Sequence, residues 1–368
     1  MASPIRIMTG EGEPYSSAGV QDPARWALTS MSLVDAVSTM GMSIESRCSP
    51  PFIPAGPLPE DWERTVRVFD AVIQDREPRS DIASAHGITG AQVNSAVRTI
   101  LTRYQTRSRA VALGRLADEG HGPSPERRHW QGETDDSWPW ILGLVAENLP
   151  NDEISTRLGM SAVVLQDHYA SMQRAFDCRP APAALLRGGY SAGLCIPNTG
   201  SGANVDARAR VLSLPPLDNL DPGLSPRIVS VLEGRSLWQT NAEVGKRLFV
   251  STKTVKTHIA RGIDKLGAED AAGAFAKTVV LGHLSCGRSV YVRPGLLSDR
   301  ELEAAQYVAL GLSNAQIGRK MWVGKNTVKT HLENVFLKLS APDRVTMVRR
   351  LFAANLLLVG SSASCQTG

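Results

Sequence analysis

The chain has 368 residues, of which 42% are hydrophobic and 21% charged, enough for two to four domains with buried cores. No apolar run approaches the roughly 20 residues that span a bilayer, and the N-terminus lacks the charged-then-apolar pattern of a secretion signal. Five scattered cysteines (Cys48, Cys178, Cys195, Cys286, Cys365) and seven histidines without ligand spacing argue against a disulfide framework, a zinc ribbon or an iron–sulfur site, so a soluble cytoplasmic protein with no metal or cofactor is expected. The net charge of +4 is unevenly placed. Residues 1–220 carry 20 arginines, no lysine and 25 acids, whereas residues 221–356 carry 20 basic and 11 acidic side chains. A basic C-terminal block is the electrostatic footprint of a polyanion binder, and charge alone leaves open a solvated basic surface.

In chain order, residues 1–55 read as mostly irregular. Arg25–Met40 is the one stretch with a helical pattern, and Ser49-Pro50-Pro51 and Pro54 close the segment. One pattern then recurs four times. Asp81-Ile82-Ala83 through Gly87-Ile88-Thr89 to Val93 is a weak copy within 56–120, and Asn151-Asp152-Glu153-Ile154 through Met160-Ser161 to His168 is a second within 135–190. Residues 191–220, rich in Pro, Gly and Ser, read as a linker. The last two copies, 221–285 and 296–358, are unmistakable. Asn241 to Val250 aligns with Asn314 to Val323 at an offset of 73 without a gap, and Thr254-Val255-Lys256-Thr257-His258 is identical to Thr327-Val328-Lys329-Thr330-His331. The copies are spaced 72, 90 and 73 residues apart, which suggests two pairs from a duplicated ancestral pair. The tail beyond Leu358 reads as frayed.

The fourth copy shows what one unit looks like. Ser298-x-x-Glu301 is a capping box ahead of Leu302, Ala305 and Val308, and Gly311 ends that helix. Ser313-x-x-Gln316 opens a short second helix. Val323-Gly324 makes a tight turn into a third helix with Val328, Leu332, Val335 and Leu339 inward. Pro342 is placed in the first turn of a fourth helix. The predicted fold class is therefore all-α: tandem four-helix helix-turn-helix modules, two pairs joined by a Pro/Gly-rich linker, with no strand-rich segment.

Leu297-Ser298-Asp299-Arg300-Glu301, Gly311-Leu312-Ser313-Asn314, Asn326-Thr327-Val328-Lys329-Thr330-His331-Leu332 and Lys338-Leu339 together resemble the LuxR-type (GerE/NarL-like) DNA-binding domain. The resemblance covers about 297–358. It extends to 222–285, where Trp238 stands at the position of Gly311 and leaves the end of that first helix open; the two upstream copies share only the pattern. It implies a module whose third helix enters the major groove of double-stranded DNA and whose fourth mediates dimerisation.

The residue chemistry agrees with that implication. With the apolar stripe inward, the third helix of the third copy offers Thr252, Lys253, Lys256, Thr257 and Arg261, and that of the fourth offers Lys325, Asn326, Lys329, Thr330 and Asn334, beside Glu333. Lys, Arg and Asn reach base edges or phosphates, and Thr bonds a phosphate or touches a thymine methyl; the alternative is a solvated helix face. In the second copy the positions of Lys256 and Thr257 become Gln166 and Asp167, and in the first they become Asn94 and Ser95. The upstream copies are therefore weaker candidates as readers and stronger ones as partner surfaces. His258 and His331 are expected to pack or to touch phosphate, and Trp238 and Trp322 to be core or interface residues.

No receiver domain, lactone-sensor domain, phosphate-binding loop, nucleophile elbow or dinucleotide loop appears, so no enzyme is expected. The expected function is a sequence-specific transcriptional regulator. Two other classes stay open: an adaptor or anti-activator whose upstream modules bind RNA polymerase or another regulator, and a sigma-like or nucleoid-associated binder with little sequence preference. The eleven residues Cys286–Leu296 reach about 35 Å when extended, against about 34 Å between successive groove faces, so one chain can span two turns. The fourth helices (about Asp270–Leu284 and Arg344–Leu357) are expected to pair within the chain or in a homodimer.

Overall fold

The computed structural model describes residues 29–35, 43–45, 48, 52, 54, 56–74, 78–123, 135–195, 208–213, 223–287 and 289–361. The chain divides into two compact units. One is built on residues 50–200 with 290–292, and the other on 201–289 and 293–368 with the N-terminal segment. Both are predominantly helical, in line with the fold class read from the sequence.

The first unit contains α1 (Trp62–Gln74), α2 (Arg79–Ala85), α3 (Gly90–Arg103), α4 (Arg109–Asp118), α5 (Trp138–Ala146), α6 (Asn151–Leu158), α7 (Ala162–Phe176) and α8 (Pro182–Ser191). Local chemistry sets the starts. Thr89 and Gln92 form a reciprocal capping box on α3, and Ser108 and Ser161 cap α4 and α7. Val68, Val72, Ile82, Ala83 and Val93 form the core under α1–α3. Helix α4 lies along α8, and Arg187 of α8 holds Asp70 of α1 through two hydrogen bonds of 2.6 and 2.9 Å.

The second unit contains α9 (Pro226–Ser236), α10 (Asn241–Leu248), α11 (Thr252–Lys265), α12 (Ala271–Val280), α13 (Asp299–Ala309), α14 (Asn314–Met321), α15 (Lys325–Lys338) and α16 (Arg344–Ala353). Ile228, Leu232, Leu266 and Ala274 fill one core cluster, and Val231, Val244 and Val255 a second. Asp343, not Pro342, caps α16, so the proline lies just outside the helix rather than in its first turn. Trp238 adopts the left-handed backbone of the glycine it replaces (φ 61°, against 85° at Gly311), and α9 closes like α13.

A small sheet was not expected. Its strands are β1 (Thr29–Ser32), β2 (Ser43–Glu45), β3 (Arg210–Ser213) and β4 (Leu357–Ser361), in the order β1-β3-β4-β2. β3 and β4 are parallel, with Val211 opposite Leu358, and the outer strands pair antiparallel to them. Three expectations change. Thr29–Ser32 is strand, not part of a helix over Arg25–Met40. The chain after Leu358 continues as strand to Ser361. Residues 210–213, within the stretch read as linker, pair on both sides. Ala209, Val211 and Leu358 bury together with Met31 and Leu33 against them, and that long-range burial holds segments too short to declare themselves. The rest of Arg25–Met40 and of the tail lies largely outside the described residues.

The helices of each unit associate in a reciprocal pattern. In the second unit α12 lies along α16, α9 packs on α16, and α13 packs on α12. Since α13 is the repeat counterpart of α9, and α16 that of α12, the contacts are exchanged as across a two-fold axis; a head-to-tail arrangement would give one cross-contact without the other. The first unit repeats this: α4 along α8, α1 on α8, and α5 on α4. In the second unit the N-cap carboxylates join the halves. Asp270 of α12 lies 3.4 Å from Arg344, and Asp343 of α16 lies 3.3 Å from Arg235.

Candidate nucleic-acid interface

Each C-terminal module presents its third helix by the same construction. Thr240 and Glu243 form a reciprocal capping box on α10, with the Thr240 amide donating to Glu243 Oε2 at 2.6 Å. That amide, then the Thr240 hydroxyl, holds the Glu243 carboxyl below its ordinary range. Ser313 and Gln316 do the same for α14. Both short helices end on a left-handed aromatic residue, Phe249 (φ 55°) or Trp322 (φ 58°). The turn closes with Val250 N donating to Gly245 O and Val323 N to Gly318 O, each at 2.9 Å. A Cβ on Gly245 or Gly318 would lie 2.7 Å from the carbonyl oxygen of Val250 or Val323, so glycine is what lets the turn fold this tightly. Ser251 then caps α11, whereas Gly324 starts α15 without a side-chain cap.

The predicted reading residues are all exposed: Thr252, Lys253, Lys256, Thr257 and Arg261 on α11, and Lys325, Asn326, Lys329, Thr330 and Asn334 on α15. Positions 253, 256, 257 and 261 follow the i, i+3, i+4, i+8 spacing of one helix face, opposite the buried Val255 and Gly262. Thr257 and Thr330 donate to the carbonyls of Lys253 and Asn326 at 3.1 and 3.2 Å, which fixes their hydroxyls and turns their remaining lone pairs and methyls outward. Lys329 lies 3.6 Å from Glu333, a pair so exposed that it contributes little and exchanges readily for a phosphate. His258 and His331 are half-buried at the edge of the face.

Trp322 was expected in the core or at an interface. It is 93% exposed and Phe249 95%, so neither belongs to the core, and of the two placements only the interface is left for Trp322. The left-handed residue that ends a short helix points its side chain away from the packed face, here beside the start of the following helix. Trp238 is half-buried.

Three anchoring roles escaped the sequence reading, in which Lys338 figures only as part of a motif and Lys277 and Arg350 not at all. Lys338, at the end of α15, bonds the buried Glu301 of α13 at 2.7 Å. Burial pushes the Glu301 carboxyl up, but the Lys338 ammonium and the Ser298 amide and hydroxyl outweigh it and hold it below its usual range. In the third module the counterpart of Glu301 is Ile228, and Lys265 donates to Gly223 O at 2.6 Å instead. Lys277 and Arg350, again 73 apart, are buried cations on the fourth helices. Lys277 Nζ donates to Leu266 O and Gly267 O at 2.9 and 2.8 Å, and Arg350 Nη1 donates to Leu339 O at 2.6 Å and to Ser340 O. Each thus satisfies the carbonyl end of a third helix, where the helix dipole favours a cation. Burial lowers both their pKa values. The signal available was two cations at matching repeat positions in apolar helices.

The helices α3 and α7, at the positions read as upstream copies, present other chemistry. On α7, Ala162, Val163, Gln166 and Asp167 are exposed, Val163 at 70%. On α3, Asn94 accepts from Arg79 at 2.6 Å and Arg98 is exposed. Among the described residues, no helix is long and apolar enough to cross a membrane.

Residues 222–276 and 295–351 each match the family model described as bacterial regulatory proteins, luxR family. The chain is 37% identical over 59 residues to the nitrate/nitrite response regulator protein homolog of Haemophilus influenzae, covering 16% of this chain and 28% of that protein. It is 42% identical over 53 residues to the CsgBAC operon transcriptional regulatory protein of Escherichia coli (14% and 24%), and 30% identical over 130 residues to the response regulator protein VraR of Staphylococcus aureus (30% and 59%). The chain thus spans less than two thirds of the length of each of these relatives. No solved structure matches it.

Proposed function

We propose that the protein is a sequence-specific, double-stranded-DNA-binding transcriptional regulator that reads the major groove with α11 and α15. The observation that carries this reading is the pair of exposed Lys/Thr/Arg/Asn faces, each on a helix held by a tight glycine-dependent turn, within the two segments that match a DNA-binding regulator family. The third helices supply base and phosphate contacts: Lys253, Lys256, Arg261, Lys325 and Lys329 by charge, and Asn326, Asn334, Thr252, Thr257 and Thr330 by hydrogen bonds. Selection of bound duplexes by the full chain at fixed salt tests the reading. A specific motif is expected, held on the order of 10³-fold or more over random duplex. Lys256→Ala and Lys329→Ala should each weaken binding and lower the salt slope by about 0.9 per lost phosphate contact. No motif, or two variants that bind like the parent, would refute the assigned faces.

The upstream pair supports a different role in the same regulator. Residues 56–120 and 135–190 are proposed to be diverged copies of the module, because each contains a short helix, a tight turn, a capped third helix and a paired fourth helix. Neither of their third helices has a lysine: α3 keeps the exposed Arg98, and α7 carries exposed Val163 and Asp167 where α11 has Lys253 and Thr257. That surface suits a protein partner such as RNA polymerase or another regulator better than phosphate.

A further inference from the structure

The surface by which two such modules pair is already occupied inside this chain. From Ala272 to Val280 every residue of α12 is buried, and on α16 so are Val345 to Val348 and Arg350 to Ala353. The cross-contacts are reciprocal, and the N-cap salt links Asp270–Arg344 and Asp343–Arg235 run both ways between the halves. Arg349 adds a bond to Ser236 Oγ at 3.2 Å. Gly273 meets Gly311 so closely that a Cβ on it would fall 2.9 Å from the Gly311 Cα. A second chain finds no fourth-helix face left to bind.

The two-fold relation has a second consequence. Helices related by such an axis meet DNA in opposite directions, so their half-sites are inverted. A homodimer would present identical faces to those half-sites. Over the first ten residues of each helix the faces differ at four matching, exposed positions: Thr252, Lys253, Ala260 and Arg261 on α11 stand where Lys325, Asn326, Glu333 and Asn334 stand on α15. Within the identical stretches 254–258 and 327–331, Lys256-Thr257 and Lys329-Thr330 are the pair exposed on both helices. The shared pair suits contacts common to both half-sites, and the differing residues suit bases that are not. Glu333 can accept from cytosine, whereas Ala260 offers only apolar contact and Arg261 suits guanine.

We propose that a single chain fills a whole operator, with α11 and α15 reading two half-sites that are inverted in orientation and unlike in sequence. This rests on the DNA-binding reading above. The test combines duplex selection by the full chain with sedimentation of its complex on the selected duplex. The expected result is one 39.6 kDa chain per duplex, binding without dependence on protein self-association, and a motif of two inverted, non-identical halves about one turn apart. A duplex built from either half repeated as a palindrome should bind about tenfold more weakly or worse. The variant Lys325→Thr, Asn326→Lys, Glu333→Ala, Asn334→Arg gives the first ten residues of α15 the exposed face of α11 through exposed positions only, and its selected motif should become palindromic. Two chains per duplex, halves in the same orientation, a parent motif that is already palindromic, or a variant motif identical to the parent's would overturn the inference while leaving DNA binding intact. If the full chain selects no motif, DNA reading itself fails, and this inference with it.

Discussion

Alanine at Gly318 sets two physical rules against each other with opposite signs. Gly318 lies inside α14, where helix propensity alone favours alanine by about 1 kcal/mol. The structure predicts the reverse. The new Cβ would lie 2.7 Å from the Val323 carbonyl oxygen, a backbone atom with no rotamer to escape into. The turn must open, and the 2.9 Å bond from Val323 N to Gly318 O that closes it must lengthen. Overpacking of this kind costs about 1–3 kcal/mol, and weakening the bond adds about 0.5–1.5 kcal/mol, so a net loss of about 1–3 kcal/mol remains after the propensity gain. Because the turn sets the angle at which α15 leaves α14, DNA affinity should fall as well. Gly245→Ala, whose Cβ would stand 2.7 Å from Val250 O, should behave alike. Gly90→Ala is the control: it opens α3 with nothing near a Cβ, and should be neutral or stabilising by up to about 1 kcal/mol. Urea unfolding followed by circular dichroism, with a duplex titration in parallel, measures all three. A Gly318→Ala protein as stable as its parent, alongside a neutral or stabilised Gly90→Ala, would refute the steric argument.

Other outcomes follow from the anchoring residues. Glu301→Gln keeps an acceptor for the Ser298 amide but loses the charge facing Lys338. Because the folded carboxyl titrates below its ordinary value of 4.5, its contribution is present above that pH and lost as pH falls through the folded pKa. The stability gap between parent and variant should therefore shrink below about pH 4.5, and a gap constant from pH 7 to 3 would contradict the charge assignment. Lys277→Met leaves two helix-end carbonyls without their donor and should cost about 1–3 kcal/mol by thermal or urea unfolding, with Arg350→Met matching it in the other module; a stabilised variant would show that the desolvation of the buried cation dominates. Asp167→Ala should leave duplex affinity within about twofold if α7 is a partner surface, and a large change in a binding titration would show that α7 reads DNA.

The sequence by itself determined whatever is local. The capping boxes at Ser298 and Ser313 and the third helices follow from interactions three to four residues apart, which the chain writes in its own spacing, and the 73-residue repeat shows in the aligned residues themselves; that Gly245 and Gly318 are what let the turns close came from the structure. The exposed faces of α11 and α15 came from periodicity alone, because Val255, Val328 and Val335 fix which side turns inward. What depends on distant partners was decided only by the tertiary structure. The sheet joins Thr29 to Ser213 and Arg210 to Leu357, and no four-residue strand announces a partner that far away. Lys277 and Arg350 look like surface cations until the fourth helices close over them and hand them the carbonyl ends of α11 and α15. The pairing of α12 with α16 inside one chain belongs to the same class. An apolar helix face states that it must be covered, since leaving it in water is costly; the three-dimensional arrangement of the other helices decides what covers it.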